Sequence, residues 1–537
     1  MLENNSISEK ESIAEPSKFM SLLNEVLDKH KHPQDSFEIA ALLESMGWND
    51  TRASKEFGVQ DIFELADQIW DAMQEKVSYH PFSKAKKSNL FLGIINMIRS
   101  FLRGLIFAFP MAISVAAMLN LKFSLWSYQY LSLDQATGIA IGTILSFMIV
   151  GGFTQAIARR GFLYIIQGYY NLARKSTFLF IWIGFGLCVV VSLLLFVLNF
   201  IFNFFPYNMI VLIVVFFFFL TSIWLSVTVM YILKKEIVFT GLIIFGIFLI
   251  YVLFVLFHIP IIISQLISLC IVSICSIFLV IYFFMKAEKK GEKGIALKLP
   301  RFSITLYSVW PYFAYGFLYF TFLFIDRINA WSRNEEIMPY LIWFRGQYEL
   351  GLDFALLTII IPMGVSEVII NKLMVDIEYS QKEYLARDSG KLYGKFLRTY
   401  RWMSFFILVT SIVSSFLIYK LIFWYNNISI QINHEDMLNN NVTLFVLFWG
   451  IVSYIILAFC LMNAVILFAL SQPIMILKAI LLSLFVDVTV GFLLSRWVAY
   501  QYAVFGLFVG SILFFILSTR SVRKVLKNLD YYLYAAS

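Results

Sequence analysis

The segment KAEKKGEKGIALKLPR, residues 286–301, is a basic stretch between two strongly apolar halves of the chain. It carries six lysine and arginine residues, and apolar runs long enough to cross a bilayer precede and follow it. Of the 537 residues, 60% are hydrophobic and 14% are charged, whereas about 25% of the residues are charged in an ordinary soluble domain. The composition therefore indicates an integral membrane protein, with the lipid bilayer as its first partner.

A helix needs about 20 apolar residues to cross the hydrocarbon core of a bilayer. Six runs of this kind precede the basic segment and six follow it. We predict spans one to twelve at Leu102–Leu121, Ala136–Ala156, Thr177–Phe202, Asn208–Ile232, Ile237–Phe257, Ile259–Phe284, Phe302–Ile325, Gly351–Leu373, Trp402–Trp424, Val442–Leu467, Ile474–Leu494 and Tyr502–Leu517. Residues 89–103 are amphipathic and are predicted to lie in the membrane interface. The expected fold class is an all-α polytopic membrane protein with twelve transmembrane helices.

The distribution of lysine and arginine predicts the orientation of the spans. Basic residues collect in the even-numbered connections, such as Arg159 and Arg160 after span two and Lys234 after span four. The odd-numbered connections NFFPYN (203–208) and YNNISIQINHEDMLNNN (425–441) contain none. Because cytoplasmic loops are enriched in lysine and arginine, both termini are predicted to be cytoplasmic. The same loops account for the formal net charge of +8, so this charge does not indicate a nucleic-acid partner.

The basic segment divides the membrane part into two predicted six-helix lobes, residues 89–285 and 302–519, followed by a cytoplasmic tail, residues 520–537. Two units with an even number of spans form a parallel repeat, related by an axis along the membrane normal. This arrangement is typical of a two-lobed transporter.

Three prolines are candidate helix breaks. Pro110 and Pro311 lie about a third of the way along spans one and seven, and Pro362 lies in span eight. Proline frees backbone groups inside a membrane helix, and matched breaks in two halves point to a central pathway. The alternative is that prolines are simply commoner in membrane helices than in soluble ones.

Residues 1–88 are polar and lack the pattern of a cleaved signal peptide, so they are predicted to form a cytoplasmic region that stays attached. Within them, residues 36–74 show helical periodicity in three pieces, with Gly47 and Gly58 as helix stops and Asn49 or Asp50 as a helix start. This module resembles ubiquitin-associated (UBA) domains. A unit of about 40 residues is marginally stable alone, so we expect it to dock on another protein or on the membrane loops. The alternative is a spacer without a ligand.

Four charged residues in the spans are candidates for the substrate pathway, because ionisable groups inside a membrane are costly and usually functional. Asp326 and Arg327 are consecutive at the predicted outer end of span seven. Neighbours on a helix point in different directions, so we expect that they have separate partners or that one of them faces water. Asp487 has no charged neighbour within six positions, and Glu367 follows Pro362 in span eight. Asp487 and Glu367 are predicted to line one cavity; the alternative is a structural polar contact between helices.

The sequence offers no place for catalysis. Connections after residue 88 are shorter than about 30 residues and contain no phosphate-binding glycine loop, zinc-protease motif or nucleophile elbow. The cysteines lie in apolar runs without metal-ligand spacing. We therefore expect a protein that is not an enzyme, with neither cofactor nor metal.

Two stretches carry a resemblance to a known family. TQAIARRGFLYIIQGYYNLARK (154–175) and PYFAYGFLYFTFLFIDRINAWS (311–332), with twelve spans in two halves, resemble the PelG-like branch of the multidrug/oligosaccharidyl-lipid/polysaccharide (MOP) exporter superfamily. The resemblance implies two lobes around a cavity that opens alternately to each side of a bacterial plasma membrane. It implies export of a polysaccharide or lipid-linked saccharide, with span seven among the helices that line the pathway.

Physical chemistry suggests roles for the candidate residues. A diphosphate-linked cargo requires cationic groups, for which Arg327 at the external side is the first candidate, and proton coupling requires an isolated carboxylate such as Asp487 or Glu367. The alternative for Asp326 and Arg327 is an interfacial anchor beside Trp331. Two other functions remain open: a drug or cation antiporter of the same fold, and a membrane scaffold that recruits polysaccharide synthesis proteins through residues 1–88.

Overall fold

The protein is described from a computed structural model, which defines residues 15–29, 35–79, 90–289, 299–333, 340–383, 389–433 and 436–534. Most of the basic segment, residues 290–298, lies outside the described residues. The chain divides into two compact units, Met1–Ser88 and Asn89–Ser537. All regular elements of the described ranges are helices.

The N-terminal unit contains, in its described residues, helices α1 (Glu15–Lys29), α2 (Ser36–Ser45), α3 (Asp50–Phe57) and α4 (Ile62–Tyr79). The predicted start at Asn49 is confirmed, because its side chain accepts a hydrogen bond from the Arg52 amide and caps α3. The predicted stop at Gly58 is confirmed by a left-handed φ of 72°. Helix α1 extends the predicted three-helix module, and its Leu23 and Val26 join the same buried core.

The first half of the second unit supplies spans one to six. Its helices are α5 (Leu90–Leu121), α6 (Leu133–Ile166), α7 (Tyr170–Phe202), α8 (Tyr207–Ile232), α9 (Glu236–Tyr251), which continues into a π-helical turn (Val252–Leu256), and α10 (Ile261–Glu288).

The second half supplies spans seven to twelve. Its helices are α11 (Phe302–Trp331), α12 (Gly346–Leu356) and α13 (Ile360–Glu383), which together form span eight, α14 (Ser389–Asn433), α15 (Asn441–Ala469), α16 (Pro473–Trp497) and α17 (Val504–Lys527). The short helix α18 (Leu529–Tyr534) lies in the tail.

The predicted fold class is confirmed. Among the described residues, eleven helices are long and apolar enough to cross a membrane, and the 32-residue helix α5 supplies span one. Residues 90–103, predicted to be an interfacial lead-in to span one, form the first turns of α5 and are continuous with that span. Apolar residues continue through this region without a strong helix breaker, so the helix does not stop there.

Helix packing repeats between the two halves. In the first half α6 packs on α8, α8 on α10, and α5 on α9; in the second half α12 packs on α15, α15 on α17, and α11 on α16. These are the second with the fourth span, the fourth with the sixth, and the first with the fifth in each lobe. Across the lobes α5 packs on α13 and α6 on α11, so the two contacts between lobes are also equivalent under the repeat.

The interior of the first lobe is bridged by hydroxyl groups. Buried serine and threonine side chains of α6, α8 and α10 bond to one another between helices. The bonded pairs are Thr221 to Ser146 at 3.2 Å, Ser273 to Ser222 at 2.7 Å and Ser276 to Ser226 at 3.1 Å. Such pairs hold helices together where lipid offers no alternative partner. Carboxylates of this lobe lie only near helix ends, at Asp134, Glu236 and Glu288.

Glycine permits the close approach of the lobes. A Cβ atom added to Gly104 of α5 would lie 2.7 Å from Gly364 Cα of α13, and one added to Gly151 of α6 would lie 2.7 Å from the Gly316 carbonyl oxygen of α11. Real Cβ atoms do not come this close, so side chains at these positions would push the helices apart.

Two of the three predicted helix breaks are corrected. Helices α5 and α11 continue through Pro110 and Pro311, because a membrane helix can accommodate a missing backbone donor by local adjustment. Pro362 differs, since it follows a 3-10 turn at Leu357–Ile359 that separates α12 from α13. The irregular backbone of the described membrane unit therefore includes span eight rather than spans one and seven.

Candidate functional site

A buried charge cluster joins spans seven and eight. Arg327 of α11 forms an ion pair with Glu349 of α12, and its other amino group donates to Asp353 Oδ1 at 3.1 Å. The neighbouring Asp326 instead accepts a hydrogen bond from the Tyr348 hydroxyl at 2.9 Å. The prediction that Asp326 and Arg327 have separate partners is confirmed.

The cluster lies inside the protein and not at its rim. Asp326 is fully buried, and Arg327 and Glu349 are 6% and 5% exposed; the side chain of Asp353 is 47% exposed. The alternative of an interfacial anchor beside Trp331 is therefore wrong, because Trp331 is itself only 1% exposed. The cluster holds more carboxylates than guanidinium groups, so it carries an excess of negative charge when all are ionised.

Glu349 and Tyr348 are missing from the sequence prediction because span eight was expected to begin at Gly351. The structure begins α12 at Gly346, which brings both side chains against α11. The spacing of Glu349 and Asp353 was an available signal, since residues four apart share one face of a helix. Both carboxylates reach the same guanidinium group for this reason.

Asp487 of α16 is fully buried. None of the described residues donates a hydrogen bond to either of its carboxylate oxygens. It lies against two glycines of α17: a Cβ added to Gly506 would be 2.6 Å from Asp487 Oδ1, and one added to Gly510 would be 2.9 Å from Asp487 Cβ. Asp326 is near enough to interact with it electrostatically. Asp487 thus extends the charged region of the second lobe to span eleven.

Glu367 lies elsewhere in the second lobe. It belongs to α13, and its Cβ would be 3.3 Å from a Cβ added to Gly104 of α5, so it is at the contact between the lobes. Asp487 packs between α16 and α17 instead. The structure therefore places the two carboxylates at different helix pairs; that they line one cavity remains a prediction.

Polar contacts join the lobes at the end of the bundle where the sequence predicts the cytoplasm. Arg159 of α6 donates to Ser471 Oγ at 3.1 Å, and its guanidinium carbon lies 5.1 Å from the ring centre of Tyr312. Arg160 donates to Ser308 Oγ.

Other contacts join the lobes at the opposite end. The Phe344 amide donates to Thr137 Oγ1 at 3.0 Å, and the Tyr425 hydroxyl donates to the Leu119 carbonyl oxygen at 2.7 Å. Contacts across the lobe interface therefore exist near both ends of the bundle.

Aromatic rings occupy the interface between these ends. Phe147 of α6 stacks on Phe320 and Phe324 of α11, with ring centres 5.7 Å and 5.6 Å apart. Tyr319 lies against Phe320 at 5.4 Å. Aromatic surface with nearby polar groups is typical of a binding region for an organic ligand.

Comparison with known proteins concerns the fold. The sequence matches no family model and none of the curated proteins. Among solved structures, a variant of the Vibrio cholerae MATE transporter VcmN has a TM-score of 0.55 at 15% identity, covering 82% of this chain and 98% of that one. The chain has the fold of a MATE transporter. A eukaryotic MATE transporter, AtDTX14, has a TM-score of 0.57 at 13% identity and covers 83% of this chain and 100% of its own.

A MOP superfamily transporter from Pyrococcus furiosus is also similar, with a TM-score of 0.52 at 14% identity over 80% of this chain and 96% of that one. MATE transporters are members of the MOP superfamily, so the coarser part of the predicted resemblance agrees with these neighbours. The PelG-like branch remains a prediction.

Proposed function

We propose that the protein is a transporter that moves its cargo across the plasma membrane by alternating access between the two lobes. One observation carries the proposal: the lobes meet through equivalent helix pairs, α5 with α13 and α6 with α11, and polar contacts join them near both ends. Contacts that can break at one end while they hold at the other are what alternating access requires.

The cargo that we propose is a polysaccharide or a lipid-linked saccharide. The resemblance of residues 154–175 and 311–332 to the PelG-like branch supports this class. So does the mixture of aromatic rings and hydroxyl groups at the lobe interface, because a polar saccharide needs hydrogen-bonding partners inside the bilayer. On this proposal both termini are cytoplasmic and the membrane is bacterial. Residues 1–88, which include the UBA-like module of residues 36–74, bind polysaccharide synthesis proteins.

Within this mechanism the candidate residues divide into two roles. Asp487 is the coupling carboxylate, because it is buried and its oxygens accept no hydrogen bond from the described residues. Asp326, Arg327 and Glu349 form the adjoining charged cluster, in which Arg327 is neutralised by its carboxylate partners and so positions them rather than binding a cargo anion. Glu367 lies at the lobe contact, on the pathway side of span eight.

Deletion and complementation test the cargo. In cells that normally make the protein, deletion should abolish the surface polymer, and the wild-type gene should restore it. Asp487→Asn should express at the wild-type level and restore little polymer, whereas Lys478→Gln, an exposed control on the same helix, should restore it fully. Normal polymer in the deletion strain would reject the proposed cargo.

A second candidate function is a drug or cation antiporter. The stacked rings of Phe147, Phe320 and Phe324 beside a carboxylate-rich lobe favour an aromatic cation, which binds to ring faces and negative charge. The Pyrococcus furiosus transporter is described as having a binding pocket of reverse polarity that suggests a different function, so the cargo of this fold varies. Sensitivity of the deletion strain to cationic dyes, with normal surface polymer, would select this candidate.

The scaffold alternative predicts a different effect of removing residues 1–88. If the protein only recruits synthesis enzymes, removal of these residues should abolish the polymer while Asp487→Asn leaves it intact. The transporter proposal predicts that Asp487→Asn reduces the polymer more than removal of residues 1–88 does, since the coupling carboxylate lies in the membrane unit.

A further inference from the structure

Two consecutive arginines cross the lobe interface, and neither forms an ion pair with a carboxylate of the described residues. Arg159 contacts Ser471 and the ring of Tyr312, and Arg160 contacts Ser308. All three partners carry hydroxyl groups and none carries a negative charge. Both arginines are partly buried, which strengthens the field of their charges relative to water.

Two other arginines of the membrane unit are paired with carboxylates. Arg174, on the next helix of the same lobe, pairs with Glu288 at 2.9 Å, and Arg327 pairs with Glu349 and Asp353. Arg159 and Arg160 differ from these two arginines, because their contacts with described residues leave their positive charges uncompensated.

We propose that Arg159 and Arg160, with the hydroxyl groups of Ser308, Tyr312 and Ser471, form a binding site for a phosphate or diphosphate group. The inference rests on the proposed function, because a diphosphate is the charged end of a lipid-linked saccharide. A guanidinium group donates two parallel hydrogen bonds to phosphate oxygens, and a hydroxyl group can donate a further one. The site therefore has the phosphate-binding chemistry that the sequence predicts for Arg327, but it lies at the other end of the pathway.

The position of the site links binding to lobe movement. The amino groups of Arg159 and Arg160 that would bind the anion now donate to Ser471 and Ser308 of the other lobe. An anion that accepts from both guanidinium groups removes these donors from the serines. Anion binding and closure of this end of the interface therefore compete for the same donors.

A direct measurement of diphosphate binding tests the site without requiring transport. Full-length protein in nanodiscs of net-neutral lipid is titrated with inorganic diphosphate in a calorimeter. We expect saturable binding to the wild type, and a Kd raised about tenfold or more in Arg159→Gln/Arg160→Gln, since bonds to charged donors are lost. Arg174→Gln removes a nearby cytoplasmic charge and should leave the Kd within about twofold of wild type.

Two further measurements control for misfolding and for the contribution of charge alone. The elution volume and thermal midpoint of each variant establish that it is folded. Arg159→Lys/Arg160→Lys keeps the charge but loses the planar guanidinium group, so it should bind with intermediate affinity.

Nanodiscs containing phosphatidic acid distinguish the sources of the phosphate group. Competition of this lipid with diphosphate identifies a lipid headgroup as an occupant, and absence of competition identifies a diphosphate outside the bilayer lipid.

The inference is overturned if the folded double glutamine variant binds diphosphate as the wild type does, or if the wild type does not bind it. Either result leaves the proposed function standing where deletion still abolishes the polymer. Conversely, normal polymer after deletion rejects the function even if the site binds diphosphate.

Discussion

The guanidinium group of Arg327 is buried, and its charge is balanced by Glu349 and Asp353. Arg327→Met leaves Glu349 buried without its partner, which should lower the free energy of unfolding by about 3–5 kcal/mol. The double variant Arg327→Met/Glu349→Met should recover most of this loss, because it removes both charges. Thermal midpoints in detergent, measured for both single variants and the double variant, check the coupling. A double variant less stable than Arg327→Met would contradict it.

At the residue scale, sequence reasoning identified the charges but only some of their surroundings. The divergence of Asp326 and Arg327 follows from helical geometry alone, and the structure agrees. Glu349 could not be found by hydropathy, because the stretch around it is polar enough to look like a connection. Its burial depends on a tertiary partner, Arg327, which lies 22 residues earlier.

The packing of α16 against α17 depends on Gly506. A methyl group there would lie 2.5 Å from the Asp487 carbonyl oxygen and 2.6 Å from its Oδ1, so Gly506→Ala should destabilise the protein by about 1–3 kcal/mol. Gly241→Ala in α9 is the matched control, since nothing lies within 4 Å of the added atom and alanine favours helices by about 1 kcal/mol. Thermal midpoints of the two variants should move in opposite directions.

The contact of α6 with α11 depends on Gly151 and Gly316. A Cβ added to either glycine would collide with the backbone of the other. Gly316→Ala should therefore separate the lobes. It should lower the transport rate about tenfold or more, because overpacking hinders movement at the interface. Gly186→Ala in α7 meets nothing within 4 Å and should transport normally. Transport by Gly316→Ala at the control rate would show that the close approach is not needed for movement.

At the element scale, the positions of the spans were predictable because hydropathy and length specify membrane helices directly. The interruption of span eight at Leu357–Ile359 was not, since only Pro362 hinted at it and similar prolines in α5 and α11 are absorbed without a break. Backbone irregularity is decided by the helices packed around it, and a single sequence does not contain that information.

In the whole molecule, alternating access requires that each end of the lobe interface separates in turn. Cysteines at Thr137 and Phe344, joined by a short cleavable thiol reagent, should stop transport, and a reductant should restore it. The same result is expected for a pair at Ser100 and Asn371, at the opposite end. Replacing Cys270 and Cys275, which are partly exposed, removes competing thiols. Undiminished transport after cross-linking of either pair would exclude the proposed movement.

The two lobes repeat each other in packing but not in charge. Ionisable groups lie deep in the helices of the second lobe, at Asp326, Arg327, Glu349 and Asp487, while hydroxyl pairs bridge the first. A membrane voltage exerts force only on charge, about 2.3 kcal/mol per elementary charge moved through 100 mV. Ionised groups that move with the helices of the second lobe would couple that lobe to the membrane voltage, whereas the hydroxyl pairs of the first lobe carry no charge, so lobes that are equivalent in packing differ in their electrical response.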